Sequence, residues 1–213
     1  MISDFVRREA GKTHVPIALH LDHGHEMETI YRAIHAGFSS VMLDASELSF
    51  EENVAATREV VRMAHACGVT VEAELGHVGG MSGVEAEGDG ESTLTVPEEA
   101  AEFVRLTNVD SLAVSIGTVH GVYSGEPHID MERLKKIYQL VDVPLVLHGG
   151  SGTGIELLQE TMKFGVSKLN VMTDLMKAGS NAVSEGAFLP ELDIYDAVID
   201  CVKGYMKPLT KPL

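Results

Sequence analysis

The sequence predicts an α/β protein of the (β/α)8 barrel class, or TIM barrel, with about six of the eight strand–helix units present in the chain. Three observations support this class. Apolar, β-branched segments of strand length recur six times. Segments with helical spacing of apolar residues lie between them. Polar side chains stand at or just after the C-terminal ends of the predicted strands. We expect one partial barrel domain over residues 1–213.

The predicted strands follow one another at intervals that leave room for a helix. They cover residues 15–21, 38–44, 69–75, 110–116, 143–148 and 166–172. The clearest helical patterns lie at 50–68 and 97–108. Gly68, Asn108 and Gly165 stand just past helical segments, where a residue in the left-handed region is expected. The nearly continuous apolarity of the strands indicates a parallel sheet that is covered on both faces.

The positions of the polar residues favour the barrel over an open, doubly wound sheet, which shows the same alternation of strands and helices. A barrel gathers its strand ends at one rim, whereas the outer strands of an open sheet lie too far apart to share a site. The polar residues at these ends are Asp22, His23, Asp44, Glu74, His120, His148, Asn170 and Thr173.

Composition excludes several classes of protein. A net charge of −16 opposes binding to nucleic acids and to anionic membranes, because both are polyanions. Two cysteines are too few for a disulfide framework, and no segment has the pattern of a membrane span or a leader. We therefore expect a reduced, cytoplasmic protein, which can still have a small site for one or two phosphates.

Three of the ten histidines share one sequence context. His23, His120 and His148 each follow a predicted strand and precede a glycine, in "LDHG", "TVHG" and "LHGG". Each alone would be interpreted as a structural residue, but three on one rim match the three protein ligands of a catalytic Zn²⁺. A metal-dependent barrel of other chemistry, such as a hydrolase, also fits these three histidines.

Asp22 and His23 pose a geometric problem, because adjacent side chains of a strand point to opposite faces. Both can serve one site only if the strand ends or bends there. Gly24 is expected to supply that bend.

Two segments that follow the last two predicted strands, "HGGSG" (148–152) and "NVMTD" (170–174), are suited to binding phosphate. Loops at this place in barrels often hold a phosphate with backbone amides. A hydrolase does not explain this pair of segments. The glycine-rich interval 76–100 is either a solvated loop or a lid that closes over substrate.

Together these segments make the sequence resemble the class II, zinc-dependent fructose- and tagatose-bisphosphate aldolases. The matching stretches run in family order across nearly the whole chain: "PIALHLDHG", "AGFSSVMLDAS", "FEENVAATREVV", "VTVEAELG", "VDSLAVSIGTVHGVY", "VPLVLHGGSG" and "GVSKLNV". The resemblance implies a lyase of carbohydrate metabolism and glycolysis. Such an enzyme reversibly cleaves a ketose (bis)phosphate to dihydroxyacetone phosphate and an aldehyde. The resemblance also implies a homodimer or homotetramer.

The resemblance assigns roles to individual residues. Asp22 matches the proton donor and acceptor, and the three histidines match the ligands of the catalytic Zn²⁺. Asp44 and Glu74 match side chains at a second or alternative position, for a second divalent or a monovalent cation. The residues aligned with groups that bind substrate are Gly121, Gly149, Gly150, Ser151, Asn170, Val171, Met172 and Thr173. A Lewis-acid metal also removes the need for a Schiff-base lysine.

Three departures from the family pattern bear on function. About two strand–helix units precede "VPIALHLDHG" in the family, so a truncated, inactive or binding-only homologue with a metal and phosphate site is the alternative function. His77 stands where the family tends to have arginine, and Glu85 or Glu87 is the candidate lid acid. Met172 stands where fructose-type enzymes tend to have aspartate, which argues mildly against that substrate.

Overall fold

The computed structural model describes residues 2–79, 93–121, 123, 125–185 and 191–210. The helices are α1 (Ile2–Ala10), α2 (Met27–His35), α3 (Phe50–Ala66), α4 (Pro97–Thr107), α5 (Met131–Leu140), α6 (Ile155–Met162), α7 (Thr173–Glu185) and α8 (Glu191–Leu209). The strands are β1 (His20–Gly24), β2 (Ser40–Leu43), β3 (Thr70–Leu75), β4 (Ser111–Val114), β5 (Leu145–Leu147) and β6 (Val166–Leu169). The candidate lid acids lie outside the described residues. No described helix combines the length and apolarity that a membrane crossing needs.

Local sequence signals set the helix ends. Ser49 and Glu52 form a reciprocal capping box at the start of α3, which satisfies two backbone amides at the helix N-terminus. The expected left-handed residues after helical segments are confirmed, with φ of 70° at Gly68, 57° at Asn108 and 85° at Gly165. These ends fix where each chain segment turns back toward the sheet.

The six strands form one parallel sheet in the order β1 to β6, as the alternating pattern predicts. The predicted bounds of the first strand are wrong. β1 covers His20–Gly24 instead of 15–21, because pairing begins where His20 meets Ser40 of β2. Asp22 and His23 therefore lie within the strand and not beyond its end.

The sheet curls into part of a barrel. In a flat sheet with strands about 4.8 Å apart, β1 and β6 would be separated by roughly 24 Å. Instead, Lys168 Nζ of β6 lies 3.4 Å from His20 Nε2 of β1, and Asn170 donates a hydrogen bond to Asp22 at 3.0 Å. The first and last strands of the sheet thus face each other across the interior, as the barrel class requires.

The two faces of the sheet differ in chemistry. Alternate strand residues such as Val71, Leu112 and Leu145 belong to the main apolar core. The opposite face carries Glu72 and Glu74, which are 2% and 1% exposed and stand two residues apart in β3. A charged interior of this kind needs hydrogen-bond and ion-pair partners, and these partners make up the candidate site.

Candidate functional site

A bulge in β1 aims Asp22 and His23 at the same rim. Leu21 pairs with Val41 and Gly24 with Leu43, so β1 has one residue more than its partner between these pairs. The left-handed residue is His23, with φ of 48°, whereas Gly24 is outside that region. The expectation that Gly24 supplies the bend is therefore wrong. Its lack of a side chain serves close packing, because a Cβ there would lie 2.7 Å from the Met42 carbonyl oxygen.

His23, His120 and His148 lie together at this rim, although they come from three distant parts of the chain. One ring nitrogen of each lies within 4.8 Å of the other two, and His23 Nε2 is 2.9 Å from His148 Nδ1. A tetrahedral Zn²⁺ with Zn–N bonds of about 2.0–2.1 Å separates its ligand nitrogens by roughly 3.4 Å. Small movements would therefore suffice for the three rings to hold one ion.

Carboxylates behind two of the rings indicate where their protons lie. His23 Nδ1 donates to Asp44 Oδ2 at 2.7 Å, and His148 Nε2 donates to Glu72 Oε1 at 3.0 Å. In neutral rings the facing atoms, His23 Nε2 and His148 Nδ1, then carry lone pairs that repel each other unless a cation lies between them. A carboxylate behind each ligating histidine is the usual arrangement at protein metal sites, so the donor set fits a metal ion.

A proton can fill the same gap in the metal-free protein. Burial lowers the pKa of His23, but its hydrogen bond to Asp44 and the charges of Asp22 and Glu74 outweigh burial, and the net shift is upward. The raised pKa means that a metal competes with a proton for this nitrogen up to a higher pH than at an ordinary histidine.

His120 supplies the third nitrogen from the loop that follows β4. Its backbone amide donates to the Gly79 carbonyl at 2.9 Å, which fixes the loop at the rim. Among the described residues, the buried His120 Nε2 has no hydrogen-bond partner. Burial, followed by the charges of His23 and His148, lowers the pKa of His120 to about 4. The ring is thus neutral at physiological pH and has an unused nitrogen for a ligand.

Asp44 and Glu74 form a second group of potential ligands with His23, in which the ligand atoms also lie within 4.8 Å of one another. Ser46 donates to Asp44 through its hydroxyl at 2.7 Å. Burial raises the pKa of Asp44, but its hydrogen bonds to His23 and Ser46 hold it well below the usual range. Burial, then the charge of Asp44, raises the pKa of Glu74 to about 8. Two metal positions could thus share His23.

Asp22 lies beside the three histidines and remains accessible. Its side chain is 49% exposed, and Asn170 Nδ2 lies 3.0 and 3.1 Å from its two oxygens. Burial raises the pKa of Asp22, but the charges of Lys168, His148 and His23 outweigh burial, and the net shift is downward. The carboxylate is therefore ionised at neutral pH, where it can accept a proton from a bound molecule.

The two predicted phosphate segments are joined by hydrogen bonds. The Gly150 amide donates to the Asn170 carbonyl at 3.0 Å, and the Asp174 amide donates to Ser151 Oγ at 3.2 Å. Gly149 has φ of 66°, and a Cβ there would lie 2.4 Å from the carbonyl oxygen of Val119. Only glycine therefore fits beneath the loop that carries His120.

A cleft of about 270 Å³ opens beside this turn, bordered by Gly121, Gly152, Asp174 and Lys177 among others. The α7 N-terminus at Thr173 lies at the same place and favours an anion through its free amides and dipole. Lys177 adds a positive charge. Asp174 is already engaged, because Oδ2 accepts hydrogen bonds from the Gly152 amide at 2.8 Å and the Tyr205 hydroxyl at 2.7 Å.

Val171 and Met172, the remaining two predicted substrate residues, have apolar side chains. Val171 packs its side chain near Gly150, where an added Cβ would lie 3.3 Å from Val171 Cγ2. Met172 is 73% exposed and extends into solvent beside the turn. Both could contact a bound molecule only through backbone or apolar atoms.

Sequence reasoning missed Glu72, Lys168 and Tyr123. Glu72 had a signal, since it stands two residues before Glu74 in an apolar strand and so shares its face. The Tyr123 hydroxyl accepts from the Val119 amide at 3.2 Å and donates to the Gly149 carbonyl at 3.0 Å. It thereby ties together the loops that carry His120 and His148.

Comparison with known proteins gives matches over nearly the whole chain. The family model described as fructose-bisphosphate aldolase class-II matches residues 1–211. The YdjI aldolase from Escherichia coli K12 is 38% identical with a TM-score of 0.85, over 98% of this chain and 75% of its own. A putative fructose-1,6-biphosphate aldolase from Coccidioides immitis is 37% identical with a TM-score of 0.85, over 97% and 77%. Fructose-bisphosphate aldolase from Campylobacter jejuni is 25% identical with a TM-score of 0.76, over 97% and 74%.

Proposed function

The chain belongs to the class-II fructose-bisphosphate aldolase family, which makes it an aldolase, and from that premise we propose that it is a zinc-dependent carbon–carbon lyase. Its substrate would be a ketose phosphate or bisphosphate. Cleavage would give dihydroxyacetone phosphate and an aldehyde, and the reverse reaction would condense them.

The main support for the proposal is that ring nitrogens of three histidines converge on one point. His23 and His148 are oriented by carboxylates, and His120 contributes a buried nitrogen without a partner among the described residues. Three protein ligands with an open position are typical of catalytic zinc. When bound, the metal would act as a Lewis acid that polarises the substrate carbonyl. Asp44 and Glu74 would serve an alternative or second cation position.

Asp22 would move the proton. In cleavage its carboxylate takes the proton of the C4 hydroxyl while the C3–C4 bond breaks, its electron pair stays on the C3 fragment, and C4 becomes the aldehyde carbon. In condensation Asp22 returns that proton to the aldehyde oxygen. Its two hydrogen bonds from Asn170 hold the carboxylate in place, and its exposure leaves it open to substrate.

C3 must gain a proton from a second acid to complete cleavage. We assign this role to Glu85 or Glu87, the candidate acids of the glycine-rich lid segment, which lie outside the described residues. Because the released fragment would otherwise keep a negative charge, substitution of the acting glutamate would slow formation of dihydroxyacetone phosphate.

The phosphate of the substrate would lie at the turn beneath the His120 loop. Small residues there allow close approach of backbone amides, and the α7 N-terminus and Lys177 provide positive potential. The residues assigned to this role are Gly121, Gly149, Gly150, Ser151, Asn170, Val171, Met172 and Thr173.

The test measures zinc content and dihydroxyacetone phosphate release by the purified chain, with fructose and tagatose bisphosphates as substrates and EDTA as the metal control. We expect about one tightly bound Zn²⁺ and cleavage that EDTA abolishes. His120→Ala should lose both tight binding and cleavage. Asp22→Asn should keep the metal but lose about 10²–10⁴-fold in kcat.

His35→Ala provides the control, because it removes an imidazole from the end of α2, away from the three-histidine group. Full activity of His120→Ala would refute the assignment. Zinc and phosphate binding without cleavage would instead establish the alternative, a binding-only homologue.

We further propose that the protein acts in the cytoplasm, in carbohydrate metabolism such as glycolysis, as a homodimer or homotetramer. Light scattering coupled to size-exclusion chromatography tests the oligomeric state, and an exclusively monomeric active enzyme would contradict it.

A further inference from the structure

A second bulge, in β6, turns Lys168 into the barrel interior. Leu145 pairs with Val166 and the next residue, Val146, pairs with Lys168, so Ser167 is the extra residue of β6. Without the bulge, Val166 and Lys168 would share the face that packs on the helices. Bulges often re-aim a side chain next to an active site.

Inside the barrel, Lys168 pairs with the buried carboxylate of Glu72. Lys168 Nζ lies 3.0 Å from Glu72 Oε1 and 2.8 Å from Oε2, and Glu72 is 2% exposed. Two strands, β4 and β5, separate the strands that carry these residues. A buried carboxylate that loses its cation is left with an uncompensated charge, so this pair is not a dispensable surface contact.

The same carboxylate orients a histidine of the candidate metal centre. Glu72 Oε1 accepts the Nε2 proton of His148, a fully buried ring, and so leaves Nδ1 directed toward His23. Lys168, Glu72 and His148 thus form a continuous chain of hydrogen bonds from the interior to the rim.

We propose that Lys168 is a positioning residue of the metal centre, which acts through Glu72 to fix the orientation of His148. The inference rests on the metal site of the proposed function. Without Lys168, Glu72 loses the lysine's hydrogen bonds to both of its oxygens and keeps only the bond from His148 to Oε1, so the carboxylate can rotate away from His148. Loss of such an outer partner typically weakens metal binding or activity about 10–100-fold.

The test measures zinc affinity by competition with a chelator and the visible spectrum of the Co²⁺-loaded protein. We expect Lys168→Met to weaken zinc binding about 10–100-fold and to change the Co²⁺ bands. Lys168→Arg, which keeps the charge and the donors, should restore most of the affinity. Lys163→Met is the matched control, since it removes an exposed lysine paired with Glu160 just before β6.

A double-variant cycle separates positioning from general stabilisation. Because Lys168 acts through Glu72, adding Lys168→Met to Glu72→Gln should weaken zinc binding by less than about threefold further. Metal-free circular dichroism and thermal unfolding show whether each variant is folded. If Lys168→Met does not fold, Lys168→Arg and Glu72→Gln decide: native affinity and spectrum in Glu72→Gln would overturn the proposal.

The outcomes distinguish this inference from the proposed function. If the wild-type protein binds zinc but cleaves no ketose phosphate, the proposed activity is refuted, and the zinc affinities of the variants still test the inference. Unchanged affinity and Co²⁺ spectrum in folded Lys168→Met would overturn the inference alone. Wild-type protein that binds no metal would overturn both.

Discussion

Gly149→Ala tests whether the backbone beneath the His120 loop controls the metal centre. Gly149 has φ of 66°, and an added Cβ would lie 2.4 Å from the carbonyl oxygen of Val119, the residue before His120. The substitution therefore does two things. It places a side chain on left-handed backbone, and it pushes the loop that carries one of the three histidines.

The magnitude follows from these two effects. Left-handed backbone costs an alanine about 1–2 kcal/mol. Relief of the overlap with a backbone carbonyl, which cannot rotate away as a flexible side chain could, adds about 1–3 kcal/mol. We therefore expect Gly149→Ala to lower the free energy of unfolding by roughly 2–5 kcal/mol.

Gly68→Ala is a matched control for the backbone effect. Gly68 also has left-handed backbone, with φ of 70°, but an added Cβ there would meet no heavy atom within 4 Å. Its expected cost is only about 1–2 kcal/mol. The difference between the two variants isolates the contact with Val119.

Two assays measure the result. Urea unfolding of the metal-free variants gives the free energy of unfolding, and chelator competition on folded protein gives zinc affinity. Gly149→Ala should bind zinc more weakly than Gly68→Ala, because only the first moves the His120 loop. Equal unfolding costs and equal zinc affinities for the two variants would refute the steric reasoning.

Four further predictions concern the metal and the substrate. Zinc binding should release a proton, and zinc affinity should fall by up to about tenfold per pH unit below the raised pKa of His23. Calorimetry in two buffers measures the proton release, and its absence at pH 6 would count against the prediction. In the metal-free protein, protonation of His23 should stabilise the fold, with the full effect below about pH 6.5. This stabilisation should disappear as the pH rises through the folded-state pKa of His23, and Asp44→Asn should weaken the trend. Zinc at 100 times its Kd should raise the free energy of unfolding by about 2.7 kcal/mol, and an unchanged melting temperature after EDTA treatment would disprove specific binding. Lys177→Ala should raise KM for a phosphorylated ketose about fivefold with little change in kcat, as expected for an exposed charge, whereas Lys203→Ala on α8 should not.

Sequence patterns predicted the strand order and the rim residues because both depend on local periodicity. The six apolar runs became six parallel strands, and His23, His120 and His148 came together although no local rule measures their distance. The bend in β1 was misplaced because a bulge depends on how two strands pair, which single-strand alternation does not reveal.

Lys168 and Glu72 show the same limit of prediction from sequence. Glu72 could be inferred from its spacing to Glu74, since period-two alternation places both on one face of β3. The partner of Glu72 could not, because Lys168 reaches it across the barrel only after Ser167 shifts the register of β6. Long-range pairing of this kind depends on the curl of the whole sheet.

The two bulges affect how gaps in an alignment of relatives are interpreted. One extra residue in β1 directs His23, and one in β6 directs Lys168. Deletion of Ser167 would remove the bulge and place Lys168 directly after Val166, where regular alternation also directs its side chain into the interior. A homologue can therefore lack this extra residue and still keep the inward lysine. A one-residue gap at Ser167 is then no sign of an inactive relative, whereas a gap between Leu21 and Gly24 removes Asp22 or His23 itself.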